Sequence, residues 1–316
     1  MAGTTILAPP SARPALQSAT HPRRRRARDG SAAYWFVVPI IIVFVALFVV
    51  PLAQSLYWSF TDYNGYSDQV NFVGFKNYLS IWADPSMLSA LGFTLFYAIS
   101  TTLLVTLFAI PLAVILNNKF FGRGLVRSIF FFPAVPSVAI LGLVWTFIFS
   151  PLGSGVVNSV LGWFGVPAVP WLANETLAQL CVIVVAVWAQ TGWHAMLYLA
   201  YLQSIPKDMF EAARIDGAGK WQEFRFLTLP MLTPAISISS LLLLTGGIKV
   251  YDLPFTLTHG GPGFATRSLT QAIIENGIAQ SQVGKASALS VLFLLAVGLV
   301  ILLQLFISRR LEERFS

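Results

Sequence analysis

Six long apolar runs separated by short polar segments dominate the chain. They lie at about residues 34–57, 88–116, 126–149, 176–202, 232–256 and 286–307. Apart from Arg127 at the margin of the third run, only the fifth contains charged side chains. A membrane span needs about 20 apolar residues, since roughly 30 Å of hydrocarbon is crossed at about 1.5 Å per residue. Backbone polar groups in hydrocarbon have no water to bind, so each run is predicted to be a helix bonded within itself. The runs are continuous and lack the two-residue alternation of a barrel strand. The pattern predicts an all-α polytopic membrane protein with six transmembrane helices.

Composition supports that reading. Only 10% of the 316 residues are charged and 56% are hydrophobic, with a mean hydropathy of +0.72. Soluble domains carry about 25% charged residues, so two globular surfaces, which the length alone suggests, have too little charge to cover them. Extensive disorder, a cytosolic enzyme and a disulfide scaffold are excluded, the last because Cys181 is alone.

The net charge of +7 raises the question of nucleic acid, and its placement answers it. Arg13, Arg23, Arg24, Arg25, Arg26 and Arg28 precede the first run. Lys119, Arg123 and Arg127 lie between the second and third, and Lys207, Arg214, Lys220 and Arg225 between the fourth and fifth. Arg309, Arg310 and Arg314 follow the last run. These are sixteen of the twenty basic residues. The opposite side holds Lys76, Arg267 and Lys285, and Lys249 lies within the fifth run. Basic residues in short flanking loops mark the cytoplasmic side, so both termini are predicted to be cytoplasmic, and the excess charge requires no nucleic acid. Residues 1–33, rich in Pro, Ala, Ser and Arg, read as a disordered cytoplasmic tail. Its arginine cluster acts either as an orientation signal, the plainer role, or on acidic lipid. The first run exceeds the 7–15 apolar residues typical of a secretory signal and reads as a retained helix. Residues 308–316 form a second short tail.

The connection over 204–232 differs from the others. Pro206 suits a first helical turn, Asp208 and Glu211 suit the N-terminal end of the helix dipole, and Gly217 suits a left-handed cap. A second short helix is predicted from Lys220 to about Leu227, stopped before Pro230. The result is a helix–Gly–helix element with Ala212 and Ala213 on its surface and with Glu211 and Arg214 offering opposite charges. From these residues alone it is either a docking surface for another protein or an amphipathic loop lying on lipid headgroups.

Glu211-Ala212-Ala213, Asp216-Gly217-Ala218 and Leu229-Pro230 resemble the EAA loop of bacterial ABC-importer permeases. The resemblance implies that Glu211, Ala212, Ala213, Arg214, Asp216, Gly217, Leu229 and Pro230 belong to a coupling loop that fits a cleft on a cytoplasmic ATPase. Gly219 departs from the family, where Ser or Asn often caps the second helix. Pro51 with Ser59-Phe60-Thr61 resembles the end of the family's first helix, and Phe72 to Tyr78 its "GxxNY" segment. Pro133, Trp145, Gly153, Gly155 and Asn158 are similar to its third helix and outer loop. Leu257 to Thr266 resembles the "LTxGGPxxxT" segment of the first of two paired permeases. Together these point to the maltose, multiple-sugar and glycerol-3-phosphate branch, without the large first outer domain of the enterobacterial maltose permease. The resemblance covers all but residues 1 to about 33. It implies the type I ABC importer permease fold, with the core over 88–307 and a place in the bacterial cytoplasmic membrane. It also implies as partners a second homologous permease, two copies of an ATPase that carry the ATP and Mg, an extracytoplasmic solute-binding protein and a carbohydrate. No cofactor is expected on this chain.

Polar residues within the runs are the candidate substrate pathway, because lipid contact is costly for them. Gln190, Trp193, His194 and Tyr201 share one helical face by spacing. Amide and imidazole groups bind hydroxyls, and an indole stacks on a sugar ring; the competing reading is helix–helix hydrogen bonding with aromatic packing. Lys249 and Asp252, at i and i+3 near the outer end of the fifth run, either line the pathway with Tyr251 or form an intrahelical pair. His194 is a weak metal candidate, since His21 and His259 lie in the tail and an outer loop. Gly217-Ala-Gly-Lys220 is no phosphate loop, which needs Gly at the place of Arg214 and Ser or Thr at that of Trp221. HExxH and GxSxG are absent, so this chain is not expected to be an enzyme. The alternatives are an ion-coupled secondary transporter, which would show broken helices and buried ionisable relays, and a non-transporting scaffold.

Overall fold

The computed structural model describes residues 3, 30–152 and 155–315. The tail arginines from Arg13 to Arg28, most of the segment expected to be disordered, and Gly153 lie outside these residues. Among the described residues the chain is helical without a strand, and a single isolated bridge pairs Thr61 with Phe72. Four helices are long and apolar enough to cross a membrane: Val37–Trp58, Pro85–Asn117, Glu175–Ser204 and Val283–Arg310. Two bent pairs, Arg123–Ala134 with Val138–Ile148 and Lys220–Met231 with Thr233–Ile248, raise the number of candidate spans to as many as six.

The helix over 30–58 is α1. Its side chains from Val37 to Gln54 are exposed, an apolar surface suited to hydrocarbon. Pro51 follows a π turn at Val45–Val49, the kind of widened turn that accommodates a missing N–H. After α1, Asn77 Nδ2 donates to the carbonyls of Ser59 at 2.9 Å and Thr61 at 2.8 Å, and Tyr78 OH lies 2.8 Å from Ser59 Oγ. Asn77 and Tyr78 stand on α2, Lys76–Trp82.

The core surrounds α3, Pro85–Asn117, and α7, Glu175–Ser204, which pack along much of their lengths. Their ends are fixed by capping: Asp84 accepts from Ser86 N–H, and Asn174 accepts from Leu177 N–H at 3.0 Å. Between α3 and α7 lie α4, Arg123–Phe131, α5, Val138–Ile148, and α6, Val156–Trp163. Small residues such as Ala109 and Ala113 on α3 and Ala195 on α7 are buried in the contact, as close approach of membrane helices requires. Glycines permit two further approaches. A Cβ at Gly192 on α7 would meet the Phe130 backbone, and one at Gly142 on α5 would meet the Thr256 side chain.

Two expected spans depart from a single straight helix. The third bends by 95° between its halves, around Pro133 in a short 3-10 turn and the Pro136-Ser137 connection. The fifth begins in α9, over 220–231, and bends by 63° into α10, Thr233–Ile248. It then stops and resumes as α11, Asp252–Thr258. The helix expected to end before Pro230 runs through it to Met231, because a π turn at Glu223–Thr228 opens the ladder ahead of the proline. The chain ends with α12, Leu269–Ile274, and α13, Val283–Phe315, which continues as helix through most of the expected tail.

Candidate functional site: a cleft at a helix break and a projecting hairpin

The break in the fifth span follows from its sequence. Gly246 and Gly247 weaken the helix, and a Cβ at Gly247 would stand 2.8 Å from Ala98 Cα, so glycine lets α10 close onto α3. Lys249 caps α10, with its N–H bonded to Thr245 O at 3.4 Å, and Tyr251 turns the chain at φ −139°, ψ −57°. Pro254 falls in the first turn of α11, where its missing N–H is tolerated. The intrahelical Lys249–Asp252 pair is therefore corrected: no helix joins them, and none of the three ion pairs among the described residues includes either.

Irregular backbone at membrane depth is tolerated where protein buries it or where it lines a cavity. Here a cleft of about 250 Å³ is lined by Gly246, Gly247, Lys249, Val250, Tyr251, Asp252 and Leu253 of the break. Its other walls are Tyr97 of α3, Val138 and Leu141 of α5, and Val185, Ala186, Ala189 and Gln190 of α7. Gln190, Lys249 and Tyr251, three of the candidate pathway residues, thus line one cleft. Tyr97 was missed; its signal was a hydroxyl within an apolar run. An amide, two phenols, an ammonium and a carboxylate supply donors and acceptors of both kinds for a polyhydroxylated solute.

The rest of the expected α7 face is divided, because Trp193 and His194 lie about 100° apart around the helix. His194 is buried, and its Nδ1 lies 2.7 Å from Ser239 Oγ on α10. Trp193 is 42% exposed and packs edge-on against the imidazole at 4.7 Å. Tyr201 packs on the apolar core. None of the three lines the cleft. Among the described residues no group of three His, Cys, Asp or Glu side chains is placed to hold a metal.

The 204–232 connection forms a hairpin of two helices. The first is α8, Lys207–Ile215. Gly217 has φ +85° and ends α8 in a Schellman turn, with Ala218 N–H bonded to Ala213 O at 2.9 Å and Gly217 N–H to Arg214 O at 3.0 Å. Gly219 is the N-cap of α9, and its N–H donates to Gln222 Oε1 at 2.8 Å, the reciprocal half of a capping box; glycine has no side chain to accept from the first N–H groups of α9 as Ser or Asn would. Glu211, Ala212 and Asp216 are exposed, Ala213 is half-buried, and Ile215 is 86% exposed. Arg214 is exposed but bonded within the hairpin: its Nε donates to Glu223 Oε1 at 2.8 Å, and the carboxylate raises the guanidinium's pKa. Phe210, Phe224 and Leu229 root the hairpin in the core, with Pro230 half-buried beside them.

At the opposite ends of α3 and α7, the Leu257–Thr266 segment is fixed by its own side chains. Thr266 Oγ1 lies 2.6 Å from Thr258 Oγ1 and donates to Gly261 O at 2.8 Å. Gln179 donates to Ala265 O at 2.8 Å. Buried Arg267 pairs with Glu275 at 2.6 Å and reaches Ser86. In the loop after the third span Asn158 braces the chain, bonding Ser150 O, both backbone groups of Val169 and Trp171 Nε1.

Fold and site define a polytopic helical membrane protein with a polar cleft at a broken span and a helical hairpin projecting from one end. Residues 105–315 match the family of binding-protein-dependent transport system inner membrane components. The chain is 37% identical to a probable ABC transporter permease of Sinorhizobium fredii, over 90% of this chain and 93% of that one. It is 33% identical to a multiple sugar-binding transport system permease of Streptococcus mutans, over 88% and 97%. A solved bacterial alginate ABC transporter, in complex with an alginate pentasaccharide-bound periplasmic protein, matches with a TM-score of 0.78 and 25% identity over 90% of this chain and 96% of that chain. The chain belongs to this family of inner membrane transport components.

Proposed function

We propose that this chain is one of two transmembrane subunits of an ATP-driven type I ABC importer that carries a carbohydrate or related polyol into the cell. The observation that carries the reading is the exposed, Schellman-capped Glu-Ala-Ala helix, Lys207–Ile215, rooted by Phe210 in the core that α3, α7 and α10 share. A helix so placed transmits an external push to the helices around the cleft. Relatives named for multiple-sugar transport support the solute class, as do the hydroxyl-binding groups of the cleft.

In this reading six spans place both termini in the cytoplasm, on the side of the hairpin. Two ATPase subunits hold ATP and Mg and engage Glu211, Ala212 and Asp216. A second permease completes the pathway beside Gln190, Lys249 and Tyr251. A solute-binding protein delivers its load near the Phe72–Tyr78 and Leu257–Thr266 segments; the alginate transporter's periplasmic protein is the precedent. The broken spans are a feature a secondary transporter would share, so the test must separate the two. A deletion strain complemented with this chain is offered labelled maltose, maltotriose, raffinose, cellobiose and glycerol 3-phosphate, and uptake is repeated in proteoliposomes. ATP- and ATPase-dependent uptake of at least one supports the reading; uptake that needs an ion gradient and no ATPase overturns it.

A further inference from the structure

The hairpin has a polar tie placed where apolar packing is thin. Arg214, in the last turn of α8, donates from Nε to Glu223 Oε1 at 2.8 Å and from Nη2 to Oε2 at 3.4 Å, which makes a two-pronged contact to α9. The covalent link between the helices is Asp216–Gly219, and two of its four residues are glycines, the residue with the widest backbone freedom. Phe210 and Phe224 anchor the hairpin only at its root. Beyond the root the helices face a cleft of about 400 Å³ lined by Ala213, Gly217, Ala218, Gln222 and Phe226 among others.

Glu223 is the more fixed partner, with its side chain 13% exposed against 64% for Arg214. It also opens the π turn that runs to Thr228, and such turns re-aim side chains within a helix. A guanidinium fork on a carboxylate resists rotation in a way a single ammonium contact does not. Exposed ion pairs contribute little to folding, so an arrangement this specific is better explained by geometry than by stability.

We propose that Arg214 and Glu223 are positioning residues that brace the hairpin, so that a push on α8 displaces α9 and the α10 that follows it instead of folding the hairpin at Gly217. This rests on the coupling function proposed above. Two observations carry it: the two-pronged bond from α8 to α9, and the unfilled cleft beside the glycine link.

The test uses the complete reconstituted transporter in proteoliposomes, with whichever labelled sugar of the panel the unmodified complex takes up. Uptake and ATP hydrolysis are measured together for Arg214→Glu, Glu223→Arg and the double exchange Arg214→Glu/Glu223→Arg. Each single reversal is expected to lower sugar moved per ATP by about fivefold or more, and the exchange to restore at least half of the unmodified ratio. Arg214→Lys, which keeps charge without the fork, should fall between. Single variants with the unmodified ratio overturn the brace. So does an exchange no better than the singles, which would mean that Arg214 meets the ATPase directly. If the unmodified complex shows no ATP-dependent uptake, the coupling reading and the brace fall together; failure of the variants alone leaves that reading standing.

Discussion

Gly217 permits a graded test of the hairpin, because its cost can be worked out position by position. A Cβ placed there meets nothing within 4 Å, so a side chain at 217 is opposed by the backbone alone. At φ +85° an alanine costs about 1–2 kcal/mol, and an asparagine less, since its side chain can bond locally. Against this stands the turn, held by two hydrogen bonds from Gly217 and Ala218 N–H groups that contribute about 1 kcal/mol each. Proline fixes φ near −65° and removes the Gly217 donor, and a proline in a forbidden site costs about 3 kcal/mol or more. It also disfavours the helical conformation of Asp216, at φ −73°, ψ 0°.

The comparison decides the outcome. Asparagine and alanine cost less than or about what the turn is worth, so the turn survives; proline costs more, so the turn opens while the core, which it does not touch, stays folded. In proteoliposomes carrying the complete transporter, sugar moved per ATP should stay within about twofold for Gly217→Asn and fall about two- to fivefold for Gly217→Ala. For Gly217→Pro it should fall about tenfold or more, the ratio a loss of about 1.4 kcal/mol in coupling produces. The melting midpoint in detergent should move by less than about 8 °C in all three, the upper bound for losing the turn's about 2 kcal/mol in a chain of this size. Unmodified coupling in Gly217→Pro, or equal impairment in the asparagine and proline variants, would refute the reasoning.

Gln190→Ala removes an amide that lines the cleft and should raise the apparent KM for sugar about three- to tenfold, the equivalent of about one hydrogen bond. Trp193→Ala, outside the cleft, should leave KM unchanged; a larger shift for Trp193 than for Gln190 would reverse the assignment. Gly142→Ala drives a methyl into Thr256 and should cost about 1–3 kcal/mol by overpacking, read as a lower melting midpoint. The Asp84 carboxyl, paired with Lys285 Nζ at 2.9 Å, is held down to about 2 from 3.8. A lowered native pKa gives stability that is complete above the unfolded value and is lost as pH falls from about 4 towards 2, worth about 1 kcal/mol after allowance for solvent at this partly exposed rim. Asp84→Asn should therefore melt below the unmodified protein at pH 6 and converge with it near pH 2; a constant gap across that range would sink the assignment.

The span pattern and the hairpin were legible because their causes are local. Hydrophobic length marks a helix in lipid, and Gly217 four residues after Ala213 marks a cap. The break at Lys249–Tyr251 went unread because residues 232–256 form one apolar run, in which Gly246 and Gly247 were passed over; the approach of Gly247 to Ala98 that the glycine permits is a tertiary contact far away in sequence. The same cause hid Tyr97 and left His194 open between the pathway and a helix–helix hydrogen bond. Helical spacing put His194 on a face with Gln190, but which neighbour that face meets is a tertiary fact, and Ser239 claims the imidazole. The Arg214–Glu223 bond was hidden for a related reason, because the two residues are nine apart across a turn.

A movement of the hairpin would reach the cleft along two helices. The hairpin joins the end of α7 at Ser204 to the start of α10 at Thr233. Gln190 stands fourteen residues back from Ser204, and Gly247 fourteen residues on from Thr233. At about 1.5 Å per residue both arms are about 21 Å long. The His194–Ser239 bond ties the arms part-way along, and a tied pair of equal arms carries a displacement to both cleft walls together. A role of His194 in transmission and a role on the solute make different predictions. His194→Ala should lower sugar moved per ATP without the rise in KM expected of Gln190→Ala, and a rise in KM alone would return His194 to the pathway.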